Sequence, residues 1–533
     1  LFTAATVTFF VYFFHTHMLL PDGAGNLYTV GPTWGDIALH MSLVSFFSAQ
    51  PHFSWTLPIY YSARLSYPFL IDLFSSFLYQ GGLNMAYSLL LPGLLLLLAF
   101  LQAVFFLVWR WCKNGWTPVL GLLLFLMGGS YISPWYFWKG WQGSGLSLLG
   151  FLQTSMTNYN HYTPANLQYG NIILDFLMPQ RSIILGFSLF VLVIFLFWQA
   201  YKSEERSREI RLLAVAAVIT GFMPLAHFHT YVITSLVFSW LTIVRLYTKK
   251  KAGLPWLYAL LFSLLPALPQ VWWQITSVQG GQYGHFYLGW MREPGENGLW
   301  FWLRNMGPIF LFLVALPYLI RRYIADAWFF HFYFPLWVVF IICNIYIFHP
   351  NPYDNMKLFS FTYLAACLFL AYFLIVWVGR RWWKVALATM FYLTLILPGV
   401  VAISSEAAKS WLFLSQADVA FAARVRAVTP PDAVILTADQ HDHPVSTLTG
   451  RKIVMGYRGW LWNFGIPYHG TESDIRSIYA GDPAAPALLE KYNISYVAIG
   501  PPELTSWTAN VPYFEYHYPV VAATGQWELF KVR

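Results

Sequence analysis

One carboxylate and two histidine pairs are the residues whose types and spacing suit chemistry. Asp36, in Gly35-Asp36-Ile37-Ala38-Leu39-His40, follows the first apolar segment of the chain. His40, four residues on, shares a helical face with it. His227-Phe228-His229 and the stretch Asp439-Gln440-His441-Asp442-His443 each contain a His-x-His pair. Such a pair can ligate a transition metal, but a complete site needs further ligands in a fixed geometry. A polar turn is the competing reading of His441 and His443. Asp36 has a structural reading as well: Thr33 fits a helix N-cap, which would place Asp36 at N3, where a carboxylate suits the helix dipole.

The elements that must position these groups lie mostly in lipid. Of 533 residues, 58% are apolar, 20% aromatic and only 10% charged, a balance foreign to a water-soluble globule. Apolar runs of about 20 residues, enough to cross a bilayer as helix, occur near 2–20, 86–109, 117–137, 182–200, 210–228, 230–247, 254–276, 299–320, 327–348, 358–378 and 385–404. The expected fold is therefore a polytopic α-helical membrane protein with about eleven crossings. Arg110 and Lys113, then Arg206 and Arg208, Lys249 to Lys251, Arg321 and Arg322, and Arg380 and Arg381 all fall in loops on one side. Short cytoplasmic loops collect such residues, so the N-terminus is expected inside and the C-terminus on the periplasmic, extracellular or lumenal side. The same loops account for the net charge of +8, which calls for no nucleic acid. The chain opens on Leu1 rather than Met, from which an incomplete or processed N-terminus is expected.

Three outer segments, about 21–85, 138–181 and 277–298, are longer than turns, and long loops often carry function. The first holds two short apolar stretches, up to Gln50 and from Tyr67 to Tyr79, expected as helices lying in the interface. Asp72 in the second must face a cavity, a partner or water. Residues 1–404 are expected as the membrane domain, and 405–533 as a small α/β domain on the outer face. Strands are read at Val434, Lys452, Ser495 and Trp527, and helices at Asp474–Ala480 and Ala485–Lys491. Three cysteines, Cys112, Cys343 and Cys367, lie in or beside helices and form no CxxC site.

In outline this chain resembles the GT-C superfamily of integral-membrane glycosyltransferases, which includes oligosaccharyltransferase catalytic subunits, protein O-mannosyltransferases and arabinosyltransferases. The likeness rests on Gly35-Asp36 in a first outer loop, the topology and an outer C-terminal domain. The pieces Met178-Pro-Gln-Arg181, Ala226-His-Phe-His229, Asp354-Asn-Met-Lys357 and Gly456-Tyr-Arg-Gly-Trp-Leu-Trp462 also resemble segments of members of this superfamily. The resemblance implies transfer of a sugar from a polyprenyl-phosphate donor to an acceptor glycan, lipid or protein. Asp36 would be the base, with His40 beside it, and cations would hold the leaving phosphate. The outer cations are Arg181, Lys357, Arg64 and Arg292; the competing reading of each is an interfacial anchor. Some relatives hold a divalent cation, Mg or Mn, between carboxylates of the first two outer loops. Asp175 lies in the right loop, but the paired acid one residue away is missing, so no cofactor is assigned. Glu293, with Glu296, is either an assisting acid or a solvated turn. Asp354 is either a helix N-cap beside a lipid anchor or part of a phosphate clamp with Lys357. His441 and His443 would contact donor or acceptor.

No Walker loop, dinucleotide fingerprint, HExxH or GxSxG is present. Two alternatives share the topology: a non-catalytic subunit of a larger membrane complex, and a transporter or lipid flippase. Transporters often place ionisable groups near the midplane of broken helices. Here they gather at the outer ends of the apolar runs, which suits an interfacial enzyme better.

Overall fold

The computed structural model describes residues 2–276 and 284–533. It divides into two compact units. Of the described residues, one holds 2–11, 93–271 and 284–409; the other holds 12–92, 272–276 and 410–533. Of the third outer segment, residues 277–283 lie outside the described residues.

The first unit is helical. Among the described residues, six helical stretches of the chain are long and apolar enough to cross a membrane: Met85–Cys112, Arg181–Lys202, Arg206–Ala226, Phe228–Thr276, Pro352–Val378 and Trp382–Ala407. The stretch Phe228–Thr276 comprises two helices, Phe228–Lys249 and Leu254–Thr276, joined at a tight turn. A seventh crossing arises if Gly298–Met306 and Pro308–Tyr323, bent by 106° at their junction, act together. The bend has a local cause: Gly307 sits at φ 63°, a conformation costly for a side chain, and Pro308 restarts the helix at its first turn. Three of the apolar runs form shorter helices: Phe2–His17 with 16 residues, Trp116–Leu126 with 11 and Ala327–Cys343 with 17.

Aromatic packing centres this unit. Phe187 meets Phe100 at 5.1 Å, Phe125 at 5.9 Å and Phe361 at 4.7 Å between ring centroids. Helix Trp116–Leu126 lies close on Asn355–Val378, because Gly121 leaves room for the backbone and side chain of Leu368. At the end marked by basic loops, Glu209 is buried with Arg245 at 3.2 Å, Arg206 at 3.3 Å and the Trp256 Nε1–H donating at 2.8 Å. This triangle joins helices Arg206–Ala226, Phe228–Lys249 and Leu254–Thr276.

The second unit joins residues 12–92 to the C-terminal residues. Strands Leu20–Pro21, Leu27–Thr29 and Trp411–Leu414 form an antiparallel sheet. A five-stranded sheet runs in the order Lys452–Ile453, Val434–Leu436, Tyr496–Ile499, Trp527–Lys531, Val520–Thr524. Its first three strands are parallel and the last two join antiparallel. Phe421, Val425, Ile435, Val445, Trp527 and Leu529 form the core beneath it. Helix Gln416–Val428, which supplies the first two, opens with a reciprocal Ser415–Asp418 capping box. Four strands of this sheet and both helices expected from the sequence are present; it gives no sign of strands Trp411–Leu414 and Val520–Thr524, of this helix, or of the short helices Pro444–Leu448, Arg458–Asn463, Pro501–Ser506 and Val511–His517.

One expectation for the first outer segment is corrected. Helix Gly31–Ala49 is not interfacial: every residue from Ile37 to Phe47 is buried, because it packs against helices Leu70–Gln80 and Pro444–Leu448. Helix Leu70–Gln80 instead turns Phe74 and Phe77 outward, at 52% and 59% exposure, while its Asp72, Ser75 and Ser76 face inward.

Removing one partner of a buried ion pair leaves the other charge uncompensated. Glu209→Ala should therefore cost about 3–5 kcal/mol, read as a lower unfolding temperature in detergent; Arg245→Ala should act in the same sense.

Candidate active site

In the second unit, Asp36 is the sixth residue of helix Gly31–Ala49, in its second turn. The N-cap is Val30, with no side-chain cap. Thr33 is inside the helix, and its Oγ1 bonds Thr29 Oγ1 at 2.5 Å and the carbonyls of Val30 and His17 at 3.2 and 3.3 Å. The capping reading of Thr33 and Asp36 is thereby overturned. Pro32 sets the boundary, since its missing N–H costs nothing in the first turn. Asp36 is half-buried and the run that follows it is fully buried.

His40 is 1% exposed, and its Nδ1 lies 3.0 and 2.9 Å from the two oxygens of Asp72, itself 0% exposed. Sequence spacing linked His40 to Asp36; the fold gives it Asp72, from the next helix. The burial of Asp72 on the inward face of Leu70–Gln80 is thus explained. Arg64 is exposed on an irregular segment paired with Thr56.

His441 and His443 differ sharply although two residues apart. His443 accepts from Val445 N at 3.2 Å and so caps helix Pro444–Leu448, while its Nε2–H donates to Glu503 at 2.8 Å. Glu503, 0% exposed, also accepts from Ala438 N and Gly500 N at 2.7 and 2.9 Å. His443 is therefore a structural pillar. His441 is buried among Trp34, Tyr457 and Phe413, at ring distances of 3.5, 5.5 and 6.3 Å. Burial pushes its imidazole below the ordinary histidine value, against the nearby Asp442 carboxylate. Trp34, two residues before Asp36, brings this aromatic group to the start of the Asp36 helix. Beside it, Arg458 reaches Asp439 at 2.5 Å and Glu472 at 2.7 Å.

In the first unit, Asp175 lies in a π-helical turn, Ile173–Leu177, a backbone form often found at functional positions. The Tyr353 hydroxyl donates to Asp175 Oδ2 at 2.6 Å and His161 Nε2 lies 3.1 Å from the same oxygen. Asn158 caps the short turn that carries His161, and Gly170 lacks a Cβ where one would run into Asp175 and His161. His161 and Tyr353 carried no sequence signal beyond their type: they are 14 and 178 residues from Asp175.

Asp354 occupies the N-cap position of Asn355–Val378, but its side chain caps nothing. It accepts from Lys357 Nζ at 3.0 Å and lies 3.5 Å from His349. The Lys357 side chain is 14% exposed and Arg181 0%, so neither reaches out as a lipid anchor. A cation that is out of water and at a helix N-terminus needs anionic or hydrogen-bonding company, and both residues lie in the first turn of a helix. Arg292 is folded back on its own loop, donating to the carbonyls of Glu296 and Leu288. Glu293 is exposed, whereas Glu296 pairs with Arg304 and accepts from Asn166 at 2.8 Å. His227 bonds Thr230 at 2.8 Å, and its ring lies 5.2 Å from that of His229. Among the described residues, no three His, Cys, Asp or Glu side chains are grouped to hold a metal ion.

Burial lowers the proton affinity of His161, but Asp175 outweighs it through charge and hydrogen bonding and holds the imidazole above its ordinary value of 6.5. A group whose value rises on folding stabilises the protein fully below its unfolded value, and that stability fades as pH climbs through the folded one. Asp175→Asn should therefore lower the unfolding temperature most below about pH 6.5, with a smaller gap at pH 8.5. An equal gap at both would remove the charged pair.

No family model matches this sequence, and no curated protein matches it. Solved structures do. ArnT from Cupriavidus metallidurans, bound to undecaprenyl phosphate, is 12% identical over 99% of this chain and 97% of its own, with a TM-score of 0.48. The Archaeoglobus fulgidus oligosaccharyltransferase AglB, in complex with an inhibitory peptide and a dolichol-phosphate, is 12% identical over 98% of this chain and 74% of its own, at 0.47. The Archaeoglobus fulgidus oligosaccharyltransferase in complex with Zn and sulfate is 12% identical over 98% of this chain and 72% of its own, at 0.50. At such identity the likeness is one of fold alone, and it reaches a TM-score of 0.50 with the archaeal oligosaccharyltransferase.

Proposed function

We propose that this chain is a GT-C glycosyltransferase that moves a sugar from a polyprenyl-phosphate-type donor to an acceptor at the outer membrane surface. The observation that carries this reading is Asp36: a half-buried carboxylate inside a helix, relieved of any capping duty, at the edge of a fully buried run. The fold shared with the archaeal enzyme supports it. The proposal includes the eleven crossings, with the N-terminus inside and residues 405–533 outside.

In this reaction the Asp36 carboxylate takes the proton of the acceptor as the acceptor attacks the anomeric carbon. The carbon–oxygen bond to phosphate breaks, and the phosphate leaves with the electron pair. His40 is a positioning residue, fixed by Asp72. Lys357 and Arg181 in the first unit are the cations proposed for the leaving phosphate. The Lys357–Asp354 bond would hold the ammonium in place until the phosphate shares it. Arg64 and Arg292 are lesser candidates, the first exposed and the second tied to its own loop. No step is routed through a divalent cation, because the described acids and histidines form no cluster for one.

General-base catalysis contributes about 10²–10⁴-fold. Asp36→Asn should lower the turnover of a polyprenyl-phosphate sugar by that factor while leaving donor binding intact, measured on purified protein with labelled donor; undiminished transfer would remove the assignment. Lys357→Gln should instead weaken donor binding by about 10–100-fold, the span of a hydrogen bond to a charged group, with turnover at saturating donor less affected.

A further inference from the structure

Three of the candidate membrane spans, Met85–Cys112, Arg181–Lys202 and Arg206–Ala226, line a groove of about 610 Å³. Its walls are apolar, and Phe106, Leu192 and Phe195 are exposed at 57%, 43% and 37%. Side chains of this kind belong against hydrocarbon. The groove also holds two arginines, Arg110 from the last turn of the first helix and Arg208 from the first turn of the third. Both are exposed.

Neither arginine pairs with a carboxylate among the described residues. Arg208 donates to Gln199 Oε1 at 3.0 Å, a neutral partner. The acids nearest in sequence are bound elsewhere: Glu205 to Arg211 at 3.6 Å, and Glu209 to Arg206 and Arg245 at 3.3 and 3.2 Å. Two uncompensated guanidiniums at an apolar intramembrane groove ask for a ligand with an anionic head and a hydrocarbon tail. Guanidinium matches phosphate geometry with paired donors, and basic pockets between membrane helices recognise anionic headgroups.

We propose that this groove is a binding site for an anionic phospholipid. Phosphate sits between Arg110 and Arg208, and an acyl chain lies along Phe106, Leu192 and Phe195. A zwitterionic lipid fills the same walls but brings its own cation to the arginines, so the site discriminates by headgroup charge. The site shares no residue with the proposed reaction and stands independently of it.

Native mass spectrometry of the full chain, loaded with phosphatidylglycerol or phosphatidylcholine of identical acyl chains, tests this. The wild-type chain should retain phosphatidylglycerol in preference. Each basic residue near the surface contributes about fivefold, so Arg110→Gln with Arg208→Gln should weaken retention by about 25-fold. Thermal unfolding should show the variant folded. Arg380→Gln with Arg381→Gln, at a loop outside the groove, should leave retention unchanged. Equal retention of the two lipids, an undiminished Arg110/Arg208 variant, or an equal loss in the Arg380/Arg381 control would each overturn the proposal. So would displacement of the bound lipid by millimolar inorganic phosphate alone, which would mark a simple phosphate site.

Discussion

An ionised side chain taken out of water costs several kcal/mol unless a partner and further hydrogen bonds meet it. In a chain with 10% charged residues, that cost decides where nearly every charge can stand. Asp72 is fully buried and has His40; Glu503 has His443 and two backbone amides; Glu209 has Arg245 and Trp256; Asp354 has Lys357. Each pair joins segments distant in sequence or fixes a helix end. Polar pairing therefore adds to apolar packing in fixing register in both units, because shifting a buried, bonded carboxylate leaves its charge uncompensated.

The same rule sharpens the site. His40 bonds Asp72, and Thr33 bonds Thr29 and Val30, which are not the links that sequence spacing suggested. Asp36, half-buried at the edge of the buried run, is the proposed base. In the first unit the reverse happens: Asp175 gains Tyr353 and His161, and a π-turn with a neighbouring glycine makes the room.

Much of the fold was legible. Apolar run length marked the long spans, and short continuous apolar runs marked the strands Val434–Leu436 and Tyr496–Ile499, which are buried along their whole length. The misses have physical causes. The strand Val520–Thr524 lies on a sheet edge and buries only Ala522 fully, so its buried face is too short to read. The stretch to Gln50 looked interfacial because polar residues interrupt it, but Ser42 and Ser45 are buried, Ser45 bonding the Thr447 carbonyl at 2.6 Å. The break at Gly307 was invisible because the run 299–320 is apolar on both sides of it.

Sequence alone determined the solvent of this protein and the chemical identity of its few charges, since hydropathy is a sum over residues and needs no geometry. It also confined the reactive candidates to a short set, because charge is so scarce. Only the tertiary structure decided which of them are spent on each other. Pairing depends on which helices meet, and residues as far apart as Asp175 and Tyr353, or His443 and Glu503, are joined by packing that no local pattern encodes.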